Sequence, residues 1–390
     1  MDVLILSCGT GGGHNAAGTA IAEELKRRGH RVTMFNPYTL HSKRLAKGIN
    51  SLYIGIVQKT PAIFGALYGA GQLYRRLPVL SPVYYANRGM VPSMREYLER
   101  NHFDIIIALH LFPAEILTYM KHQGIHLPKT VFVATDYVCI PFTEETDCDA
   151  YIIPSPRLKT AFADCGLPAE KIYPLGIPVQ SSFSQKESQA QLRRRLGLAP
   201  DKKYILAAGG SMGGGKIKKA IRILIEEVAG SKDTELIVVC GSNQPLYEES
   251  HKNAAPNVTV LGFTSNMAEY MKAADLFVTK PGGLSTTEAA VCGVPIVHTA
   301  AIPGCETYNA NFFSEQGMSL LCRTSRAELT GALDLLSNRP ACDAMIANQQ
   351  KQIRPDASAR IVTLAEKIAF PHLESWNMDM EEAGSMETVS

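Results

Sequence analysis

Short apolar runs alternate with helical segments along most of the chain, and three of these runs end in glycine-rich turns. Runs of this length are typical of buried strands and the segments between them of crossover helices, so the pattern predicts an α/β fold with mostly parallel sheets. The alternation forms two series, which predicts two Rossmann-like parallel-sheet domains facing a central cleft. The predicted strands cover residues 3–6, 31–35, 104–109, 130–135 and 151–154, then 204–208, 235–240, 258–262, 276–280 and 295–299.

A length of 390 residues suits two domains, since a domain takes roughly 150 residues. We place the first domain at residues 1–178, a linker at 179–198 and the second domain at 199–350. Residues 351–372 are expected to form a helix that crosses back to the first domain. Residues 373–390 carry five acids and no base, which indicates a mobile acidic tail.

The composition excludes several classes of protein. The net charge is +2, from 39 basic and 37 acidic residues, so we expect no nucleic-acid partner. Nine cysteines without a CxxC pair suit a reducing compartment such as the cytoplasm. No apolar run approaches the ~18–20 residues of a membrane span, and a signal peptide is not expected.

The charges are unevenly distributed. Residues 25–95 contain no acid and twelve Lys and Arg residues. This composition indicates a basic, partly apolar surface that lies against anionic lipid. The alternative is a helical insertion with solvated bases and core aromatics. The aromatic residues concerned are Tyr53, Phe64, Tyr68, Tyr74, Tyr84 and Tyr85.

The first glycine turn, at residues 9–14, is similar to the glycine-rich turn of dinucleotide-binding domains. Its sixth position is His14, where close packing of helix on strand requires glycine, and no carboxylate for a ribose follows the second strand. With dinucleotide binding excluded, the turn predicts a helix N-terminus whose backbone amides favour an anion. His14 is either a capping residue or a general base at the cleft, and its position alone does not decide between them.

The second turn, at residues 209–217, is nearly a P-loop. Residues 210–216 fit GxxxxGK, but Ile217 replaces the hydroxyl residue that ligates magnesium in an NTPase. The turn therefore predicts a phosphate-binding site without phosphoryl transfer.

The third turn, at residues 280–288, contains Ser285-x-x-Glu288. This spacing is that of a capping box, and taken alone it favours that interpretation. In the functional interpretation, Gly282 and Gly283 allow close approach of a phosphate and Glu288 holds a ribose diol.

Metal chemistry has little support. Asp147-Cys148-Asp149 has the DxD spacing of metal-dependent sugar transferases, but it directly precedes a predicted strand. Two acids at a strand entrance are usually solvated, so we expect no metal and no cofactor.

The three turns, in a chain of two α/β halves, resemble the monogalactosyldiacylglycerol synthase and processive diacylglycerol glucosyltransferase family. This family is part of glycosyltransferase family 28, which includes the lipid II-forming GlcNAc transferases. The resemblance covers residues 1–370 and implies a GT-B fold, with the acceptor in the first half and the nucleotide sugar in the second. The matching stretches are SCGTGGGHNAAGTAIAEEL, ATDY, PLGIPV, AAGGSMGGGK, LGFTSNMAEYM and TKPGGLSTTEAAVCGVPIVHTAAIPGCETYNA.

The resemblance also implies roles for individual residues. His14 is expected to deprotonate the acceptor hydroxyl, and Asp136 to orient His14. Glu288 is expected to hold the ribose and Glu306 to contact the donor sugar. The implied donor-binding residues are Ser211, Met212, Gly213, Gly214, Phe263, Thr264, Met267, Gly282, Gly283, Ser285, Glu288 and Glu306. The implied acceptor and membrane residues are Gly12, Gly13, Tyr38, Tyr53, Phe64, Tyr68, Arg75 and Arg76.

Two departures from the family pattern leave the sugar and the acceptor open. Asn36 replaces an acid that is common at the end of the second strand, and Cys305 occupies a position that is often polar. Neither affects the predicted fold.

Together the observations predict an inverting transfer of a hexose from a UDP-sugar to a lipid hydroxyl, with diacylglycerol as the expected acceptor. The enzyme is expected in the cytoplasm, peripheral on the inner face of the cell membrane. Two alternatives remain: a UDP-sugar 2-epimerase on the same fold, and a non-catalytic UDP-sugar sensor.

Overall fold

The structure is a computed structural model that describes residues 1–8, 12–42, 48, 61–75, 77, 79–210 and 217–371. For residues 61–64 it describes the helical backbone and not the side chains.

The first half is built on a parallel sheet of six described strands in the order β2-β1-β3-β4-β5-β6. Strand β1 pairs with β2 on one side and β3 on the other, so the strand order reverses at β1. The strands are β1 Asp2–Leu6, β2 Arg31–Phe35, β3 Ile105–Ala108, β4 Lys129–Val133, β5 Ala150–Ile152 and β6 Ile172–Tyr173.

The second half repeats this plan with the order β12-β11-β10-β7-β8-β9, again parallel throughout. Here the order reverses at β7, which pairs with β8 and β10. The strands are β7 Lys203–Ala208, β8 Thr234–Val239, β9 Val258–Leu261, β10 Leu276–Thr279, β11 Ile296–His298 and β12 Leu320–Leu321.

Helices connect the strands, as parallel pairing requires. In the first half they are α1 Gly12–Arg27, α2 Tyr38–His41, α3 Pro61–Tyr74, α4 Pro82–Asn87, α5 Val91–Arg100, α6 Leu111–His122 and α7 Lys159–Asp164. After them come α8 Ser181–Ser184, α9 Gln189–Leu196, α10 Ile217–Val228, α11 Gln244–Lys252, α12 Met267–Ala273 and α13 Gly283–Cys292. The last helices are α14 Cys305–Glu315, α15 Arg326–Leu333, α16 Arg339–Gln352 and α17 Ala357–Ala369.

The central strands are almost entirely apolar because both of their faces are covered, and Thr279 at the end of β10 donates its hydroxyl to the carbonyl of Ala208. Strand β3 is buried at every position, and so is β10. The edge strand β2, by contrast, is partly exposed throughout. Continuous apolar strands are typical of such doubly covered parallel sheets, and ligands bind in them at the carboxyl edge where the strand order reverses. This directs the search for a site to the ends of β1 and β7.

The last helix contacts the first half of the chain. Glu366 of α17 forms an ion pair with Arg28 at 2.7 Å and a hydrogen bond with His30 at 2.8 Å. Ile361 and Val362 on the same helix are fully buried. The chain therefore passes from the first half to the second and then returns.

The strands differ from the predicted ones mainly at their ends. The predicted strand at 104–109 is one residue longer at each end than β3. Strands β6 and β12 were not predicted, because two residues are too few to form a recognisable apolar run. Among the described residues, no helix is long and apolar enough to cross a bilayer.

Candidate active site

His14 lies in the first turn of α1, where the glycine-rich segment leads from β1 into the helix. Its Nδ1 is 3.0 Å from Oγ1 of Thr135, at the end of β4, and this hydrogen bond fixes the ring. Burial lowers the pKa of His14, and the charge of Asp136 and a hydrogen bond with the backbone of Leu109 only partly offset it. At neutral pH the imidazole is therefore uncharged and able to accept a proton.

The predicted role of Asp136 needs a correction, because the hydroxyl of Thr135 orients the His14 ring and Asp136 acts on it through charge. The carboxylate itself is held from the other half of the molecule. Nδ2 of Asn309, on α14, donates to Oδ1 of Asp136 at 2.8 Å and to the carbonyl of Pro281 at 3.1 Å.

A second histidine, His110, lies against His14 with the ring centroids 4.8 Å apart and nearly perpendicular. It is the N-cap of α6, where its Nδ1 accepts a hydrogen bond from the amide of Phe112 at 3.2 Å. Burial, reinforced by His14, holds the pKa of His110 well below its usual value. The sequence analysis did not identify His110, although its position directly after β3, the strand beside β1, would have indicated it.

Tyr137 joins the two halves next to the histidines. Its amide donates to Oδ1 of Asn309 at 2.7 Å, and its hydroxyl is 2.8 Å from that of Thr287 on α13. Its ring stacks on Phe312 at 4.7 Å and meets Phe313 edge-on at 5.0 Å. The side chain is buried, so a residue of the first half is part of the core of the second.

On the opposite side of the cleft, α13 begins at Gly283 with Gly282 as its N-cap. The capping box predicted for Ser285 and Glu288 is absent, because the helix begins two residues before Ser285 and its N-cap has no side-chain hydrogen bond. A Cβ at position 283 would overlap the carbonyl oxygen of Thr135, so only glycine permits this approach of the halves.

Glu288 is the buried carboxyl of the cleft. It is 8% exposed, and no hydrogen bond joins it to another of the described side chains. Burial raises its pKa to about 8. Glu288 and Ser285 line a cavity of about 170 Å³ between the halves, to which α1 contributes three residues. The other cavity residues are Gly12, Gly13, Ala16, Ala208, Gly210, Val239, Gly241, Phe263, Thr264, Met267, Met271, Phe277 and Leu284.

The N-termini of α1 and α13 meet at this cavity. A Cβ at Gly13 would lie 3.7 Å from that of Leu284. Unpaired backbone N–H groups at a helix N-terminus stabilise an anion. The cavity therefore combines two helix N-termini with one buried carboxyl, a pattern suited to a ligand that has both an anionic group and hydroxyl groups.

Lys280 adds a positive charge that the sequence analysis missed. It forms an ion pair with Glu306, whose other oxygen accepts the amide of Ile302 at 3.0 Å. Burial alone lowers the pKa of Lys280, but the charge of Glu306 outweighs it and holds the pKa above its usual value. A Cβ at Gly210 would lie 3.6 Å from Cε of Lys280, so the amine stands beside the second glycine turn.

Phe263 is 81% exposed even though it lines the cavity. Thr264 follows it and accepts the amide of Asn266 at 3.1 Å, and Met267 then begins α12. An exposed ring at a cavity mouth offers a face on which a planar group can stack.

The structure corrects two of the residues predicted to contact acceptor or membrane. Tyr38 is buried and its hydroxyl donates to Oδ1 of Asn87 at 2.5 Å. Arg75 is largely buried and forms an ion pair with Glu144 at 2.6 Å. Neither side chain is available to a lipid surface, because internal partners hold both.

Tyr68, on α3, faces the second half rather than solvent. Its ring centroid is 6.3 Å from that of Tyr308, and its hydroxyl is buried. Burial, reinforced by Cys305, raises its pKa. Nearby, a Cβ at Gly65 would overlap the side chain of Pro303, so α3 lies across the boundary between the halves.

The outer side of this region exposes large apolar side chains. Leu67 is 58% exposed and Leu73 is 67% exposed, both on α3. Leu77, Val79 and Tyr85 follow and are more than half exposed. We call these five residues the apolar rim. A group of exposed apolar side chains beside a cleft is typical of a surface that meets a partner or a membrane.

The DxD acids lie outside this site, at the opposite edge of the first sheet. Asp149 forms an ion pair with Lys129 at 2.9 Å and accepts the amide of Thr130 at 2.8 Å. Burial alone raises the pKa of Asp149, but these bonds lower it to about 2. No group of three or more His, Cys, Asp and Glu side chains in the described part of the chain is placed to hold a metal.

Several predicted site residues lie outside the described residues, so their predicted roles stay predictions. They are Ser211, Met212, Gly213, Gly214, Tyr53 and Arg76. The side chain of Phe64 and the acidic tail at 373–390 are likewise not described.

Two Rossmann-like domains that meet at a cleft lined by helix N-termini form the GT-B fold. The family model "Monogalactosyldiacylglycerol (MGDG) synthase" matches residues 14–179, and "Glycosyltransferase family 28 C-terminal domain" matches residues 204–361. The two models together cover most of the chain. The chain belongs to the glycosyltransferases of the monogalactosyldiacylglycerol synthase and family 28 group, as its motifs predicted.

Known proteins agree with this assignment. A processive diacylglycerol beta-glucosyltransferase of Bacillus licheniformis is 26% identical over 370 residues, which are 93% of this chain and 94% of the relative. MurG of Acinetobacter baumannii has the same fold, with a TM-score of 0.62 at 19% identity over 94% of this chain and 99% of its own.

A UDP-GlcNAc 2-epimerase of Neisseria meningitidis bound to UDP-GlcNAc also shares the fold. Its TM-score is 0.60 at 12% identity, with 94% of this chain and 100% of the epimerase covered. The GT-B prediction is confirmed, and the fold alone is common to transferases and epimerases.

Proposed function

We propose that the chain is an inverting hexosyltransferase that moves a hexose from a UDP-sugar to the hydroxyl of a lipid, diacylglycerol. The observation that carries the proposal is the position of Glu288, a buried carboxyl without a partner among the described side chains, in a cavity that the N-terminus of α1 closes. Membership of the family and a curated relative named for diacylglycerol and glucose support the two substrates.

The donor occupies the second half. The ribose hydroxyls donate to the carboxylate of Glu288, and the uracil stacks beside Phe263. The diphosphate lies at the N-terminus of α13, with Lys280 beside it as a positive charge. Backbone amides and a buried amine stabilise the negative charge that develops on the departing UDP, because both are already oriented before the reaction.

The acceptor hydroxyl approaches from the first half. His14 takes its proton as the oxygen attacks the anomeric carbon, and the bond to the UDP oxygen breaks on the opposite face. Thr135 holds the ring in place, and the charge of Asp136 favours the imidazolium that forms. A positioned base of this kind contributes about 10²–10⁴-fold.

The lipid reaches the cleft along the apolar rim, which meets the bilayer and makes the enzyme peripheral on the inner face of the cell membrane. The rim belongs to the acid-free residues 25–95, and Arg88, which is exposed in the same segment, can face anionic headgroups. Each base near an anionic surface contributes about 1 kcal/mol.

A UDP-release assay tests the proposal. The protein is given UDP-glucose, UDP-galactose or UDP-GlcNAc with liposomes that contain diacylglycerol, and the lipid product is identified by mass. We expect one sugar to release UDP and increase the mass of diacylglycerol by one hexose. Binding of UDP-sugar without release would instead indicate a sensor, and interconversion of the sugar without acceptor would indicate an epimerase.

A further inference from the structure

A pair of cysteines outside the cleft takes no part in the proposed transfer. Cys139 lies on the loop after β4 and is buried, and Cys165 caps the C-terminus of α7 and is half-buried. Their thiol groups are close enough to share a hydrogen bond, which perturbs the pKa of both. Both pack in the same core cluster of the first half, so the contact does not depend on a flexible side chain.

A buried cation covers this pair. Nη2 of Arg75 is 3.7 Å from Sγ of Cys139, and Nη1 donates to the carbonyl of Cys139 at 3.4 Å. The guanidinium is fixed in turn by two hydrogen bonds to Glu144, at 2.9 and 2.6 Å. The positive charge therefore stays beside the sulfurs.

The two thiols are not equivalent. The hydrogen bond from Cys139 lowers the pKa of Cys165, and the charge of Arg75 lowers it further against the effect of burial. The same hydrogen bond, with burial, raises the pKa of Cys139. Cys165 is the more exposed sulfur and the one whose pKa is lowered, which makes it the candidate nucleophile, since the thiolate is the reactive form of cysteine.

We propose that Cys139 and Cys165 form a redox-active dithiol that hydrogen peroxide converts into a disulfide. The Cys165 thiolate attacks one peroxide oxygen, the O–O bond breaks, and sulfenic acid and hydroxide form. The Cys139 sulfur then attacks the Cys165 sulfur, so the S–S bond forms and the sulfenic oxygen leaves as water with the Cys139 proton. The two thiols are oxidised and one peroxide is reduced.

The segments that carry the two cysteines are already in contact. A Cβ at Gly166 would lie 3.3 Å from Cβ of Glu144, so the end of α7 packs against the loop that follows Cys139. The disulfide would fix this loop to α7. Tyr137, which inserts into the second half, is two residues before Cys139.

Disulfide mapping tests the proposal on the full chain. The reduced protein is treated with an equimolar amount of hydrogen peroxide, the remaining thiols are alkylated, and the peptides are analysed by mass spectrometry without reduction. We expect a Cys139–Cys165 peptide as the dominant disulfide, with the other cysteines alkylated. Oxidation confined to other cysteines, or no disulfide at all, would overturn the proposal.

Alkylation rates test the reactivity of the Cys165 thiol without requiring a disulfide to form. Cys292 is the matched control, because it is also half-buried but burial raises its pKa to about 12. At pH 7 we expect iodoacetamide to modify Cys165 at least ~10-fold faster than Cys292. Arg75→Gln is expected to slow the reaction at Cys165 and leave Cys292 unchanged, and equal rates at the two sites in the unaltered chain would contradict the proposal.

Two single-residue variants identify which sulfur attacks the peroxide. In Cys139→Ser, peroxide is expected to leave Cys165 as a sulfenic acid that dimedone traps. In Cys165→Ser, we expect no sulfenic acid at Cys139 under the same conditions. The reverse pattern would overturn the assignment of Cys165 as the nucleophile.

Discussion

Asn309 of the second half holds Asp136 of the first through a hydrogen bond of 2.8 Å, and Asp136 is the carboxylate whose charge favours protonation of His14. The base on one side of the cleft is therefore influenced by a side chain from the other side. The contact between the halves therefore also positions the carboxylate that acts on the base.

Removing this hydrogen bond should impair turnover. We expect Asn309→Ala to lower kcat about 10-fold or more, since a hydrogen bond to a charged group contributes about 1.5–3 kcal/mol. Asn309→Asp should be worse, because it places a second carboxylate beside Asp136. The matched control is Asn311→Ala, an exposed position on the same helix. Steady-state kinetics check the prediction, and normal kcat in Asn309→Ala would contradict it.

His14→Ala should remove the base and leave the donor site intact. We expect kcat to fall by about 10²–10⁴-fold, with UDP affinity changed little, because the donor residues lie on the second half. UDP release and isothermal titration calorimetry measure the two quantities. His102→Ala, on an exposed histidine, is the control. Turnover close to that of the unaltered enzyme would rule out His14 as the base.

Glu288 should make UDP binding depend on pH. Its pKa is raised to about 8, so the free carboxyl is mostly protonated at pH 7, whereas the ribose hydroxyls bind its ionised form. Affinity is therefore expected to rise with pH up to about 8 and then level off. Calorimetry in buffers of different ionisation enthalpy should detect proton release on binding. Glu288→Gln should bind UDP more weakly and lose this dependence, unlike the exposed control Glu315→Gln.

The same carboxyl gives a stability test with a defined sign. A carboxyl whose folded pKa is raised keeps its proton in the folded state at pH values where the unfolded chain loses it. Stability therefore falls as pH rises from the ordinary glutamate range to about 8. Glu288→Gln should remove this cost, so its Tm relative to the unaltered chain should increase over that range. A Tm difference that does not vary with pH would contradict the raised pKa.

The apolar rim should control membrane binding. We expect Leu67→Glu combined with Leu73→Glu to weaken binding to anionic liposomes at least ~10-fold, since burying a leucine contributes about 1.5–3 kcal/mol. Leu320→Glu combined with Leu321→Glu is the control, because these leucines are exposed on an edge strand of the second half. Liposome flotation measures the effect. Equal flotation of both double variants would place the membrane surface elsewhere.

Chelation should leave the transfer intact. The Lys280 amine and the helix N-termini offer hydrogen-bond donors to the diphosphate, which a metal binds in DxD enzymes, so we expect activity to persist in EDTA. Asp147→Asn should behave like the unaltered enzyme, because Asp147 pairs with Lys171 at 3.3 Å away from the cleft. UDP release with and without EDTA measures this, and loss of activity that Mg²⁺ or Mn²⁺ restores would show a metal requirement.

The alternation of apolar runs was sufficient to predict the α/β fold, because doubly covered strands such as β3 are continuous apolar runs. It was insufficient at the edges, where β6 and β12 have two residues each. It also did not locate the start of α13, because a glycine N-cap leaves no side-chain signal.

The sequence likewise indicated some residues of the candidate site and missed others. His14 and Glu288 were candidates because each follows a strand and a glycine turn, and the family resemblance implied their roles. Asn309 was not, since its contact with Asp136 spans both halves and depends on how they dock. Composition indicated a lipid surface over residues 25–95 but could not assign its faces. The resemblance placed Tyr38 among the lipid-facing residues, although the side chain is buried.

The two passages of the chain between the halves run side by side. Ser358, at the start of α17, donates to the carbonyl of Val179 at 3.1 Å, and a Cβ at Gly176 would lie 3.1 Å from that of Ala357. Because both crossings lie at one place, the lobes can pivot about a single axis there while they stay tethered twice. We expect opening for substrate exchange to be a rotation about this point, with little stretching of either connection.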